Sequence, residues 1–298
     1  MALLARSERS PLPLPPRLLV GRAATATLRL DASHVSGEHA TLFWTGEAWH
    51  VRDLASRNGT WVNGRRLDRG DEQPLLAGDR IGFGAPDPTW RLLDASPPGA
   101  VALTDDGRAR PADHGLVVLP DDESPVALVF PDEVGEWWLE MDDRRTRVGD
   151  GHPVVIDGVT WRMHIPGTTA ATGHIDPVVP LSTVHLAFEV SRDQEHVQIT
   201  VSGRGDPRRL EPREHAYVLL LLARQRIADA ALPEPDQGWV DRDELLRWLR
   251  FDKNALNVAI YRARGQLAQA GIDGAAGIVE VRRRQRRLGL PPARIEVS

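Results

Sequence analysis

The chain has 298 residues, 41% of them hydrophobic, with 37 basic and 42 acidic side chains and a net charge of −5. A chain of that length accommodates about two domains of ~100–200 residues, and the absence of cysteine excludes a disulfide scaffold, a thiolate metal site and cysteine catalysis together. The ten histidines show no HExxH or comparable spacing, so zinc hydrolysis has no candidate ligands and no cofactor is expected. The opening MALLARSERSPLPLPP lacks an apolar stretch long enough for a signal-peptide core. The longest apolar run, Ala216 to Ala223, falls far short of the ~20 residues a bilayer requires. A cytoplasmic protein without a membrane partner is the expectation. Charge is divided along the chain: +2 for residues 1–93, −12 for 94–206 and +5 for 207–298. An acidic middle repels nucleic acid and a basic end tolerates it.

From Leu18 to Leu93 short β-branched and aromatic runs are broken by Gly, Asn and Asp every eight to twelve residues, the rhythm of an all-β sandwich. Residues 94–166 continue in that manner as a β-rich extension or small β unit. Strands are expected at Val126–Phe130, Trp137–Met141, Pro153–Ile156 and Thr160–Ile165, the last two joined at Asp157-Gly158. Residues 167–180 read as a linker, because small residues and prolines bury too little apolar surface to order themselves. From 181 to 298 two strands, Val184–Val190 and His196–Val201, give way to helical periodicity. One helix opens at Leu210-Glu-Pro-Arg-Glu and runs to about Ala230. A second is capped by Asp241, with Glu244 reaching back, and ends near Arg250. A third covers 253–270 with Leu256, Ile260, Ala263, Leu267 and Ala270 on one face. A hairpin rich in arginine closes the chain between Ile278 and Ile295.

Four ordered fragments of the first segment belong together: Gly21-Arg22, Ser36-Gly-Glu-His39, Ser56-Arg-Asn-Gly-Thr60 with Val62-Asn-Gly64, and Gly78-Asp79-Arg80-Ile81 closing at Gly84. In this order and spacing residues 1–93 resemble the forkhead-associated (FHA) domain, a phosphothreonine-binding β-sandwich. The resemblance assigns phosphate binding to Arg22 and Ser36, a grip on the peptide main chain to Asn58, and support of the loops to Gly21, His39, Gly59, Asn63 and Gly64. A phosphate dianion suits an arginine fork flanked by neutral donors, which agrees with those residue types. Two positions depart from the common pattern: Gly37 stands where a basic or polar residue is frequent, and Arg57, where threonine is frequent, adds a cation to the phosphopeptide-binding set. The implied partners are a Thr-phosphorylated protein and a Ser/Thr kinase or its substrates. Thr168, Thr169 and Thr172 of the linker are candidate kinase acceptors for the same pocket.

The order strands, three helices, arginine-rich hairpin over 181–298 resembles the winged-helix effector domain of response-regulator-type transcription factors. That resemblance implies nucleic-acid contacts from Asn254, Tyr261 and Arg262 on the third helix and from Arg282, Arg283, Arg284, Arg286 and Arg287 in the wing. The helix offers a poor surface for reading bases, so a winged helix used to bind protein stands as the alternative to DNA. The fold class expected is therefore multidomain: an FHA-like all-β sandwich, a further small β segment, and an α+β winged-helix-like domain. No P-loop, dinucleotide fingerprint or nucleophile elbow is present, and the acid pairs lie in polar, turn-like surroundings. The function expected is a non-enzymatic signalling protein coupling phosphothreonine recognition to a transcriptional regulator, or a scaffold without DNA contact.

Overall fold

A computed structural model describes residues 1–6, 11–166, 179–193, 196–203 and 205–298. Thr168, Thr169 and Thr172 lie outside the described residues, as does most of the expected linker. The chain divides into two compact units, one of Met1–Ala112 and Gly149–His174, the other of Asp113–Val148 and Ile175–Ser298.

In the first unit a five-stranded sheet runs in the order Leu28–Arg29, Arg17–Gly21, Ala40–Trp44, Trp49–Asp53, Glu72–Leu75. A six-stranded sheet has the order Leu12–Pro13, Leu3–Ala5, Thr89–Asp94, Arg80–Phe83, Thr60–Val62, Arg65–Arg66. Leu18, Val20, Leu42, Trp49 and Val51 from the one and Leu4, Val62, Ile81, Phe83 and Leu92 from the other form a shared core, so the two sheets pack as a sandwich. Alternation along each strand turns these residues inward and leaves such side chains as Arg52 and Arg80 outside. A third sheet follows, ordered Ala109–Pro111, Val101–Thr104, Val159–His164, Pro153–Ile156. Its hairpin turns at Asp157 (φ 49°) and Gly158 (φ 77°), the consecutive positive φ values that a two-residue connection of this hand requires.

The stretch 94–166, read from sequence as one β-rich piece, is shared between the units. Strands Val117–Leu119, Ala127–Pro131, Trp137–Met141 and Arg144–Arg147 form a four-stranded antiparallel meander that belongs to the second unit. The reason is burial: Leu116, Val118, Leu128 and Phe130 form an apolar cluster with Ala276, against which Trp138 and Tyr261 pack. Alternation in the meander is legible locally, but its partner is more than a hundred residues away.

The rest of the second unit begins with a sheet of Gly205–Arg209, Val197–Gly203 and His185–Val190, with Ile295–Val297 joining His185–Val190 in parallel. Three helices follow: α1 (Ala216–Ala228), α2 (Arg242–Leu249) and α3 (Lys253–Gln269). Helix α1 starts later than the sequence suggests. The Leu210 backbone is still tied to the strand beside it, its N–H donating to Ile199 O at 2.9 Å and its carbonyl accepting from Gln198 Nε2 at 2.8 Å. Gln266 of α3 then holds the approach segment, donating to Glu211 O at 2.7 Å and bonding His215 Nε2 at 2.8 Å. Asp241 caps α2 through Asp243 N–H, and Arg250 (φ 56°) ends it in the left-handed conformation. Glu244 does not close a capping box; it lies 3.8 Å from Arg247 one turn on. Asp252 caps α3 by accepting from Ala255 N–H at 2.7 Å. The terminal hairpin pairs Val279–Arg282 with Gln285–Leu288, and Val240–Asp241 joins its second strand.

Candidate functional site

At one end of the sandwich three loops meet. Gly21 ends its strand with no room for a side chain: a Cβ there would stand 2.0 Å from Gly37 O, which is why the 36–37 backbone lies directly on it. Two backbone bonds seal that approach, Arg22 N–H to Ser36 O at 2.9 Å and Ala23 N–H to Gly37 O at 3.0 Å. Ser36 is also held from its other side, since its hydroxyl accepts the Arg57 N–H at 3.0 Å while keeping its own proton to donate. Arg22 and Arg57 are exposed, and neither guanidinium has a hydrogen bond or ion pair among the described residues. Asn58 is half-buried, its Nδ2 donating to His34 O at 2.8 Å, which fixes the amide at the rim with Oδ1 as an acceptor. Arg22, Ser36, Arg57 and Asn58 are thus brought together. The arrangement offers two cations, a hydroxyl donor and an amide, a set suited to an anionic group on an extended strand.

The support beneath it is buried. His39, 0% exposed, accepts the Ser36 N–H on Nδ1 at 3.0 Å and faces Gly59 O through Nε2 at 3.2 Å. Accepting at Nδ1 and donating from Nε2 requires the neutral ring, and burial holds the His39 pKa below its ordinary value. Asn63 bridges Asp79 Oδ1 (2.8 Å) and Arg80 N–H (2.9 Å), so it and Gly64 (φ 80°) shape a turn of the sheet and stand back from the anion-facing groups.

Two features escaped the sequence reading. Asp53 is buried and accepts from Ser56 N–H (2.9 Å), Ser56 Oγ (2.7 Å) and Thr60 Oγ1 (2.8 Å), and Ser56 Oγ in turn accepts the Gly59 N–H at 3.0 Å. This carboxylate organises the whole 56–60 loop; its signal was an acid at an inward-facing position, in line with Trp49 and Val51, of the alternating strand Trp49–Asp53. Arg66 lies across Gly59, where a Cβ would meet its Nε at 2.2 Å, placing a third guanidinium beside the loop. No spacing rule in the sequence connects the two.

In the second unit the residues expected to contact nucleic acid differ in exposure and in the partners they take. Asn254 Nδ2 donates to Glu123 O at 3.1 Å, and Tyr261 packs on the meander's apolar cluster. In the hairpin, Arg286 is 4% exposed and bonds Asp143 at 2.5 Å, so it cannot neutralise a phosphate. Arg282 and Arg287 stack on the Trp239 ring, 4.3 and 4.6 Å from its centroid, and Arg287 also pairs with Glu280 at 2.7 Å. Arg284 pairs with Asp243. Arg262 on α3 and Arg283 at the hairpin turn are the two of the set that are exposed without a hydrogen bond or ion pair among the described residues. Arg286 is the one member of this set that burial withdraws from solvent; Arg282 and Arg284 stay exposed beside Trp239 and Asp243. Among the described residues no cluster suits a metal ion, and no helix is long and apolar enough to cross a membrane.

Comparison with known proteins bears on the first of these sites. The FHA domain model matches residues 18–84. That span contains every group of the pocket. FhaB of Mycolicibacterium smegmatis is 38% identical over 65 residues, which is 22% of this chain and 42% of that protein; FhaB of Mycobacterium tuberculosis is 37% identical over the same length and shares. The chain therefore spans less than half the length of these relatives. Similar solved structures include Mycobacterium tuberculosis EmbR in complex with a low-affinity phosphopeptide, with 28% identity, a TM-score of 0.28, and coverage of 32% of this chain and 25% of that one. Another, described for phosphothreonine-dependent FHA domain interactions, has 31% identity and a TM-score of 0.25, covering 28% of this chain and 86% of that one. The FHA domain of this chain is followed by more than two hundred residues beyond the matched span.

Proposed function

We propose that the chain is a non-enzymatic signalling adaptor whose FHA domain captures a Thr-phosphorylated segment of a partner protein in a Ser/Thr kinase pathway. The observation that carries this reading is Ser36, bonded through its carbonyl to the backbone of Arg22 and through its hydroxyl to the backbone of Arg57, with both guanidiniums exposed and unpaired among the described residues. A phosphothreonine dianion would take the Arg22 fork and the Ser36 hydroxyl, with Arg57 adding charge and Asn58 bonding the peptide backbone. Titrating the full chain with a phosphothreonine peptide, its phosphoserine analogue and the unphosphorylated form tests it. Binding should favour phosphothreonine and vanish without phosphate. Arg22→Ala should cost about 1.5–3 kcal/mol, roughly 10–150-fold in affinity; a folded variant with full affinity would overturn the assignment.

For the second unit the expected winged-helix resemblance supports two readings, and one observation favours protein over DNA. Asn254, Tyr261, Arg284, Arg286 and Arg287 are engaged within the unit itself. We therefore read residues 181–298, with the meander, as a protein-binding output module. Anisotropy titration of the full chain against duplex DNA at low salt should give no saturable binding, and nanomolar, sequence-selective binding would restore the DNA reading.

A further inference from the structure

Besides Arg22 and Arg57, the rim of the first unit's pocket carries a third guanidinium. Arg66 sits in the short strand Arg65–Arg66, opposite Trp61, and Leu67 N–H donates to Thr60 O at 2.8 Å, so the backbone bearing it is fixed against the loop that presents Asn58. Its side chain lies along that loop: the place where a Gly59 Cβ would stand is 2.2 Å from Nε, 3.0 Å from Cζ and 3.1 Å from Cδ. Gly59 makes this approach possible twice over, since it lacks the Cβ and takes a φ of 86° that other residues rarely adopt. Both polar groups of Gly59 are already engaged, its N–H with Ser56 Oγ at 3.0 Å and its carbonyl with Gly84 N–H at 2.9 Å. The loop thus positions the guanidinium by packing without satisfying it.

The donors of Arg66 remain open. It is exposed and has no hydrogen bond, ion pair or ring contact among the described residues, whereas Arg29 and Arg52 of the same unit pair with Asp31 and Glu72. Asp79, at the turn beside its strand, is committed to Asn63 Nδ2 and Leu76 N–H at 2.8 Å each. A guanidinium presents its donors as a planar fork that matches a carboxylate, and one already held in place loses less side-chain freedom on binding than a free surface arginine. Gly59 follows Asn58 directly, and an extended peptide advances ~3.3 Å per residue. A side chain within about three residues of a phosphothreonine at Arg22, Ser36 and Asn58 therefore comes within reach of Arg66. We propose that Arg66 is a specificity-determining residue that reads a carboxylate flanking the phosphothreonine, so that the preferred ligand is a phosphothreonine segment with an Asp or Glu close by. This selectivity rests on the phosphothreonine reading of the pocket and adds a second anion to the ligand.

The test uses the full chain and a set of phosphothreonine peptides of otherwise neutral sequence, in which one Glu is moved through the positions on either side of the phosphothreonine and compared with Gln at each. One position should bind about three- to fivefold more tightly with Glu than with Gln, the size of an exposed ion pair, and added salt should shrink that ratio. Arg66→Ala should bring the ratio to unity, and Arg66→Glu should invert the preference, favouring Lys over Glu at the same position. Arg65→Ala, which removes the neighbouring exposed arginine on the alternate side of the strand, should keep the ratio. Equal affinity for Glu and Gln peptides at every position overturns the proposal while leaving the phosphothreonine reading intact, as does a Glu preference that survives Arg66→Ala or is lost to the same extent in Arg65→Ala. If one variant at position 66 fails to fold, the other decides. Failure of every phosphothreonine peptide to bind, or undiminished binding by Arg22→Ala, overturns the pocket itself and the selectivity with it.

Discussion

Asp53 shows how one buried carboxylate can organise a whole loop. It accepts three hydrogen bonds from residues 56 and 60 in a buried setting, so Asp53→Ala strands two hydroxyls and an amide. Removal should destabilise the first unit by about 3 kcal/mol or more and weaken phosphothreonine-peptide binding although Asp53 lies beneath the loop, as chemical denaturation and titration would show; Asp53→Asn should fall between. His39 gives a pH signature. Its folded pKa lies below the ordinary 6.5 because of burial, so the unfolded chain takes up the proton more readily. Stability from this residue is complete above about pH 6.5 and declines as pH falls toward the folded value. His164, also held low by burial, acts in the same sense, so the measurement is a difference: the pH slope of unfolding for wild type minus that for His39→Gln should be positive between pH 6.5 and 5. That Arg22, Ser36 and Asn58 meet at one end of the sandwich was legible in the sequence, because the motif places them at loop positions with fixed spacing. Asp53 and Arg66 were not, since their roles follow from which strand abuts which loop, and no local pattern encodes that.

At the level of elements, α3 and the meander define one another. Asn254 and Asn257 donate to the carbonyls of Glu123 and Pro125 at 3.1 Å each, and Arg264 pairs with Glu140. Glu140→Gln should destabilise the second unit by about 3–5 kcal/mol, because a guanidinium remains buried without its counter-charge. The double change Glu140→Leu with Arg264→Met should cost much less, the usual behaviour of buried ion pairs replaced by apolar residues. Thermal unfolding of the single and double variants checks this. Asp252→Ala, removing the cap of α3, should cost about 1 kcal/mol. Most individual elements here were readable beforehand: Trp137–Met141 from its composition, the hairpin at Asp157-Gly158 from its turn, α2 from Asp241. The start of α1 was not, because Pro212 suits an early helical position while Leu210 is held by a neighbouring strand. The covering of α3 was not either, because a contact such as Asn254 with Glu123 spans 131 residues and leaves no periodicity behind.

For the molecule as a whole, connectivity departs from a string of modules. The chain leaves the first unit after Ala112, builds the meander of the second, and returns at Gly149 to complete the sheet that Val101–Thr104 began. During synthesis the apolar face of Leu116, Val118, Leu128 and Phe130 exists well before Tyr261 and Ala276, its eventual partners. At ~5–20 residues per second that interval is on the order of ten seconds, long enough for unpaired, hydrophobic strands to meet those of another nascent chain. Asp121, Asp122 and Glu123 precede the strand Ala127–Pro131, Asp132 and Glu133 follow it, and Asp142 and Asp143 close the next. The acids that flank these strands leave the unfinished segment negatively charged, which opposes the association of its apolar face with another strand before Tyr261 and Ala276 are made.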